Sequence, residues 1–267
     1  MIKVAVAGVA GKMGKTILSL AFKDPDFQVT GGLEHPESPV VGKDLGTLAS
    51  SEPLGNKISS YAQSVLKEAD VLIDFTHPSA TPAHVEAAVA TKTALVIGTT
   101  GLNEKVLKTL VLASKSVPIV QSPNMSVGVN LLFRLAEITA VALGEGYDIE
   151  ITEAHHRMKK DSPSGTAMKL LDIFAQIKSG DSKRDVVYGR QGETGARPRG
   201  QIGVFALRGG DVIGDHTVFF FGDGERVELT HRATSREAFA QGALRAAKFV
   251  VKQKRGLFNM QQVLGIS

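Results

Sequence analysis

The sequence contains no cysteine. That absence removes disulfides, thiolate metal sites, iron–sulfur clusters and a cysteine nucleophile together, and it fits a reducing, cytoplasmic setting. The opening MIKVAVAGVAGKMG lacks the charged, apolar and small-residue succession of a secretory signal, so none is expected. Uninterrupted apolar runs are missing too. The longest candidate, Val127 to Leu143, is broken by Asn130, Arg134 and Glu137, and no membrane span is expected. There is no internal repeat and no low-complexity segment. Charge of one sign is nearly balanced by the other: 31 basic against 27 acidic residues leave a net +4. With a pI near 9.2, so mild an excess suits anionic small molecules as well as nucleic acid. The basic run KFVVKQKRG at 248–256 reads as a solvated helix end. No recognised nucleic-acid motif accompanies it, so no nucleic-acid partner is expected. What remains is ordinary for a soluble globular chain: 267 residues, 43% apolar and 22% charged, with a mean hydropathy of +0.03. Length alone allows one or two domains.

The chain alternates in period. An apolar run at 2–7 predicts a buried parallel strand, and Met13, Ile17, Leu18 and Ala21 predict a helix over 12–22 that Asp24-Pro25 stops. A strand at 27–33 ends at Glu34, and residues 35–69 read as loop with short elements. Strands at 70–74, 94–98 and 117–121 then alternate with helices at 79–91 and 103–114. That alternation predicts an α/β fold with a doubly wound parallel sheet of Rossmann type. After Ser122-Pro123-Asn124 the pattern changes. A long helix at 126–143, a strand at 147–153, a helix at 166–178 and a polar, glycine-rich stretch to Gly200 lead into strands at 201–208, 212–221 and 225–231. Several consecutive strands predict a second, α+β domain with a mixed, largely open sheet. The expected division is 1–126 with 237–267 returning to it, and 127–236.

Gly8-Val9-Ala10-Gly11-Lys12-Met13-Gly14 lies between the first strand and the first helix. Glycine there permits a tight turn and close approach of a pyrophosphate to the exposed N–H groups of a helix start. The spacing G-x-x-G-x-x-G is a weak pattern by itself, and a glycine turn without a ligand competes with it. Its flanking elements and Glu34, placed where an acid should accept ribose hydroxyls, favour a dinucleotide. His35 stands where an arginine would favour a 2′-phosphate, so NADH is expected to serve at least as well as NADPH, although Lys12 and Lys15 could assist the phosphate. Two further loops follow parallel strands: Gly98-Thr99-Thr100-Gly101 and Ser122-Pro123-Asn124-Met125. Each alone reads as an ordinary turn; a shared sheet edge makes them candidate coenzyme contacts.

The densest chemical signal is EAHHRMKKDSPSGT at 153–166. His155, His156, Arg157, Lys159 and Lys160 crowd into six positions, and a solvated basic loop is the plain alternative. Against it, the run leaves an apolar strand directly and ends at a helix start. Ser164 can cap that helix, and the N–H groups of Gly165 and Thr166 can hold a carboxylate. Hydride transfer supplies electrons without a proton, so reduction of a C=C or C=N bond needs an acid. His155 or Lys159 can provide it, and clustered like charge is expected to make the lysine a better acid.

Taken with GVAGKMG at 8–14, DFTHP at 74–78, GTTG at 98–101, SPNMSVGVN at 122–130 and EAHHRMKKDSPSGTA at 153–167, the chain resembles the bacterial 4-hydroxy-tetrahydrodipicolinate reductase (dihydrodipicolinate reductase) family. The likeness continues through TGARPRGQIGVFALRGGDVIGDHTV at 194–218, HRATSREAFAQGAL at 231–244 and MQQVLGI at 260–266. It implies a homotetrameric oxidoreductase of lysine and diaminopimelate biosynthesis that uses NADH or NADPH, holds no resident metal and reduces a cyclic dicarboxylate with loss of water. His155 matches the family's acid/base and Lys159 its proton donor. His156, Lys159, Ser164, Gly165 and Thr166 match its substrate contacts. Residues 8–14, Glu34, His35, Gly98, Thr99, Thr100, Ser122, Pro123, Asn124 and Met125 match its coenzyme contacts. The rivals are another NAD(P)-dependent reductase of a small dicarboxylate and a nicotinamide-sensing protein without catalysis.

Overall fold

The computed structural model describes residues 1–49, 52–177 and 186–266. Contacts divide the chain into two compact units, Met1–Val127 with Arg236–Gly265, and Gly128–Ser235. In the first, strands β1 (Ile2–Ala7), β2 (Phe27–Leu33), β3 (Val71–Asp74), β4 (Ala94–Ile97) and β5 (Pro118–Gln121) are joined by a short C-terminal strand, β11 (Gly256–Phe258). They lie in the order β11-β5-β4-β3-β1-β2, with every pairing parallel. This is a Rossmann-like sheet with its order reversing at β1.

Strand alternation explains how so apolar a sheet is covered on both faces. Val4 and Val6 turn to one core, which they share with Ile17 and Leu18 of α1 (Lys12–Ala21) and Ala243 and Ala247 of α8 (Glu237–Val250). Ala5 and Ala7 turn to the other, with Leu72, Leu95 and Val85 of α4 (Thr81–Thr91) and Leu110 of α5 (Glu104–Ala113). Among the described residues of 35–69, the short helices α2 (Leu45–Leu48) and α3 (Ala62–Leu66) lie between loops. The chain's end returns to this unit because α8 lies on the sheet and β11 extends its edge along β5 in parallel. A small capped helix, α9 (Met260–Leu264), follows.

The second unit is built on β6 (Asp148–His155), flanked by β8 (Ile202–Arg208) in parallel and β9 (Gly214–Phe221) antiparallel. With β10 (Arg226–Ala233) and the two-residue β7 (Val186–Val187) the order is β10-β9-β6-β8-β7, a mixed sheet. Helices α6 (Val127–Leu143) and α7 (Gly165–Ile177) cover one face, where Phe133, Phe174, Ile151, Val204 and Phe220 make the core. The last position expected for the helix at 166–178, and positions 179–185 of the expected polar stretch, lie outside the described residues.

Among the described residues, one stretch, Val127–Gly146, has the length and a mean hydropathy of 1.5 that a membrane span requires. Its inner positions Val129, Leu132, Phe133, Ala136 and Ala140 pack on this sheet, and Arg134 pairs with Glu137 at 2.9 Å. Those contacts bury one face of the helix, while Leu131, Leu135, Ile138 and Val141 are exposed.

The tightest glycine position in the first unit is Gly242 of α8, where an added Cβ would lie 1.8 Å from the carbonyl oxygen of Met125. Gly242→Ala is therefore expected to destabilise by about 1–3 kcal/mol through overpacking. That loss corresponds to a thermal midpoint roughly 2–4 °C lower per kcal/mol. Gln241→Ala, exposed on the same helix, serves as the control. Equal midpoints for the two variants would refute the tight contact.

Candidate active site

In the first unit the carboxyl ends of the parallel strands gather the glycine loop, Glu34, the 74–77 turn and the 98–100 loop at one sheet edge. Gly8 adopts φ +77°, a left-handed conformation that only glycine takes without strain, and a Cβ there would meet the Phe75 carbonyl oxygen at 2.9 Å. A Cβ on Gly14 would lie 2.1 Å from the carbonyl oxygen of Gly8. The first turn of α1 has no side-chain cap and no acidic residue, which leaves its N–H groups suited to an anion. Glu34 accepts from the N–H of Ala10 at 2.8 Å and from that of His35 at 3.0 Å. The acid thus sits against the glycine loop, and its remaining lone pairs are available to hydroxyls.

A cavity of about 840 Å³ opens beside this edge, lined among others by Gly8, Glu34, His35, Phe75, His77 and His84. Among the described residues, no lysine or arginine lines it. Several of the expected coenzyme residues face the protein interior. Val9 and Met125 belong to the apolar core, and Thr99 is buried with its hydroxyl on Asp74 at 3.1 Å. Such positions can present only backbone to a ligand. Thr100 and Pro123 are exposed, while Ser122 is buried and donates to the carbonyl of Asn124 at 2.8 Å.

The sequence reading missed the group that holds this edge together. Asp74 is fully buried. It accepts from the Thr76 N–H at 3.0 Å and from the hydroxyls of Thr76 (2.6 Å), Thr99 (3.1 Å) and Thr81 (3.1 Å), and it pairs with His84 Nδ1 at 2.9 Å. Burial pushes its carboxyl up, but the hydrogen bonds from His84 and the threonines outweigh it and hold it below the ordinary carboxylate range. Aspartate at a strand end, with hydroxyls two and seven positions on, was the available signal.

In the second unit the 153–166 segment folds around a buried charge. Because β6 alternates, Glu153 and His155 continue the inward face begun by Ile149 and Ile151. Glu153 is buried, donates nothing and accepts four times. Arg208 binds both its oxygens at 2.8 Å, His155 Nδ1 approaches at 2.6 Å, and the Ser164 N–H donates at 3.0 Å. Burial raises this carboxyl, yet Arg208, His155 and Ser164 together keep it below its ordinary value. With Glu153 ionised, His155 is the donor from Nδ1 and its Nε2 carries a lone pair. A Cβ at Gly214 would touch that Nε2 at 3.0 Å, so glycine keeps the nitrogen clear.

Lys159 departs from the expectation of a cation among like charges. Its Nζ is held by both oxygens of Asp161 at 2.9 Å. That hydrogen bond lowers the Asp161 carboxyl. Glu153 and Asp161 thus supply the anions that the basic string requires. Ser164 caps α7, its oxygen accepting from the Ala167 N–H at 3.2 Å. Gly165 is exposed, Thr166 and His156 are half-buried, and Arg157 and Lys160 face outward. Two further residues were invisible in the sequence reading, Arg208 on β8 and His216 on β9. In the sheet register His216 lies opposite Glu153, and its Nε2 is 2.9 Å from the Ser164 hydroxyl oxygen.

Residues 2–125 match the family profile described as "Dihydrodipicolinate reductase, N-terminus", and residues 128–264 match "Dihydrodipicolinate reductase, C-terminus". The chain belongs to the dihydrodipicolinate reductase family. It is 49% identical over 265 residues to the 4-hydroxy-tetrahydrodipicolinate reductase of Polynucleobacter necessarius, covering 99% of both chains. Against the Aquifex aeolicus protein of the same name it is 48% identical, again covering 99% of each. Among solved structures, dipicolinate-bound dihydrodipicolinate reductase from Paenisporosarcina sp. TG-14 superposes with a TM-score of 0.77 at 25% identity, over 98% of each chain. Members of this dihydrodipicolinate reductase family are pyridine-nucleotide-dependent reductases, and the glycine loop, the uncapped α1 and Glu34 fit such a coenzyme.

Burial lowers the affinity of His155, His216 and His231 for protons, and for His216 the value falls from 6.5 to about 3, with nearby His155 adding to the effect. Below pH 6.5 the unfolded chain therefore binds more protons than the folded one, so stability falls as the pH drops through that window. One fully differential proton contributes about 1.4 kcal/mol per pH unit. The urea midpoint is expected to fall between pH 6.5 and 5, and His216→Gln to flatten that slope. A parallel pH dependence in the variant would exclude His216 as a contributor.

Proposed function

We propose that this protein is a cytoplasmic 4-hydroxy-tetrahydrodipicolinate reductase. In this reading it reduces the cyclic dicarboxylate to tetrahydrodipicolinate with loss of water, in lysine and diaminopimelate biosynthesis. The observation that carries the reading is the Arg208–Glu153–His155 array beside the Lys159–Asp161 pair and the α7 start. A bound reduced nicotinamide supplies the hydride. The residues assigned to hold that coenzyme are 8–14, Glu34, His35, Gly98, Thr99, Thr100, Ser122, Pro123, Asn124 and Met125.

The chain's own part is to bind the two carboxylates and deliver one proton to carbon. Ser164 with the N–H groups of Gly165 and Thr166 receives one carboxylate at the positive end of the α7 dipole, and His156 and Lys159 contribute to substrate binding. In the free protein His155 is neutral: burial opposes the imidazolium, as do the positive charges of Lys159 and Arg208. Its fixed Nδ1–H leaves Nε2 as a proton acceptor. Lys159 brings the proton, held on Nζ within its ion pair. A dianionic substrate offsets the field of Lys159 and Arg208, which favours protonation of His155 Nε2 on binding. The pair then serves as acid for the ring carbon, with Glu153 fixing the imidazole tautomer.

His155→Gln and Lys159→Met are each expected to lower kcat by ~10² or more while NADH affinity stays nearly constant, as loss of a general acid does. Coupled turnover with the synthase that makes the substrate, followed by NADH absorbance, reads both. Wild-type turnover in either variant would remove that residue from the mechanism, and no turnover in the parent would favour a nicotinamide-binding protein without catalysis.

Coenzyme choice follows from the cavity beside Glu34. A 2′-phosphate there would meet Glu34 and Glu86 with no lysine or arginine lining the cavity among the described residues, so NADH is expected to give a kcat/KM at least equal to that of NADPH. A hundredfold preference for NADPH would overturn this.

The expected homotetramer draws on the outer face of the second sheet. Phe221 is 39% exposed there, stacked on the Phe219 ring, and exposed aromatic surface of this kind suits an interface between copies.

A further inference from the structure

The Ser164 hydroxyl has one proton to give and two neighbours already in contact. Its oxygen accepts the Ala167 N–H at 3.2 Å, and it lies 2.9 Å from Nε2 of His216. Its own N–H is fixed on Glu153 at 3.0 Å, so the residue has little freedom to turn. Two polarities of the Ser164–His216 bond satisfy this geometry. If the hydroxyl donates to His216, the imidazole proton must sit on Nδ1. That atom is buried, with no hydrogen-bond partner among the described residues, and a stranded N–H results. If His216 donates from Nε2, a lone pair is stranded instead. A buried orphan N–H is rarer in folded proteins than an under-used acceptor, and it carries the desolvation cost of a donor.

A doubly protonated ring would strand the same Nδ1–H and add a buried charge, and it is excluded here. Burial and the neighbouring His155, whose ring centroid is 5.2 Å away, hold the His216 imidazolium pKa at about 3. His216 therefore carries one N–H at neutral pH, and that N–H faces Ser164.

We infer that His216 is a positioning residue: its Nε2–H occupies an acceptor site of the Ser164 oxygen and turns the hydroxyl proton outward as a donor to the substrate carboxylate. The inference rests on the proposed assignment of Ser164 to that carboxylate and adds a specificity-determining partner to it. A ligand bearing a hydrogen-bond donor in place of the carboxylate would meet another donor and be rejected. The site is thus set for an acceptor of stated polarity, over and above its positive field.

A double-mutant cycle with pyridine-2,6-dicarboxylate as the probe tests this, using calorimetry for Kd and coupled turnover for KM and kcat. Ser164→Ala and His216→Phe are each expected to weaken the probe about tenfold, the size of one charge-assisted hydrogen bond. KM is expected to rise by a similar factor and kcat to fall by less. The double variant should bind no more weakly than either single one, because both remove the same bond. His216→Gln, which keeps an N–H donor, should recover most of the affinity, and His216→Leu replaces phenylalanine should that ring not fit.

Additive losses, unchanged binding in His216→Phe, or a glutamine variant as impaired as the phenylalanine one would each overturn the inference. If Ser164→Ala loses the probe while His216→Phe does not, this inference fails alone. A parent protein that does not bind the probe defeats the proposed function, and this inference with it.

Discussion

A carboxylate taken out of water must be paired and fully hydrogen-bonded, and Glu153 shows how much structure that requirement organises. Its partners come from three places in the chain: Arg208 from the parallel neighbour strand, His155 two residues along the same strand, and the Ser164 N–H from the start of α7. Satisfying this one charge fixes the imidazole orientation, the position of the helix start and the course of the loop between them. Removing any partner would leave part of a buried anion without compensation, so the loop's position follows from electrostatics as much as from packing. The pocket's positive character is then a consequence. Cations drawn to Glu153 and Asp161 remain in place to receive a further anion.

The first unit uses the same device for a different end. Asp74, also buried and ionised, joins the end of β3 to the β4 loop through Thr99 and to α4 through Thr81 and His84. Where Glu153 orients an imidazole, Asp74 positions backbone. The glycine loop beside it depends on close approach: Gly8 and Gly14 leave no room for a Cβ. The edge that carries the glycine loop is therefore rigid because its polar groups are mutually satisfied and its contacts leave no slack.

Both sheets were legible in the sequence, because a core facing one side or two imposes a period that survives in a single chain. The parallel strands of the first unit read as continuous apolar runs and the central strands of the second as consecutive short elements. The weakly periodic pieces did not read. β7 is two residues long and is defined only by its pairing with β8, and β11 is a strand because β5 offers an unpaired edge. In the candidate site, His155, Lys159 and Ser164 were nominated because they crowd into one segment. Arg208 and His216 were not, since each lies about fifty residues away or more and joins the pocket only through sheet register. Lys159 was read as a cation among cations. The chain instead turns Asp161 back on to it, an outcome that spacing by itself does not give.

The sequence by itself determined the fold class, the glycine turn with its acid, and the identity of the chemical segment, because each is written in local spacing or in a contiguous string. Tertiary structure decided which charges neutralise one another, which nitrogen of His155 is left bare, and which of the nominated coenzyme residues turn inward. Those outcomes depend on distances across strands, where two residues on neighbouring strands can be in contact whatever their separation along the chain.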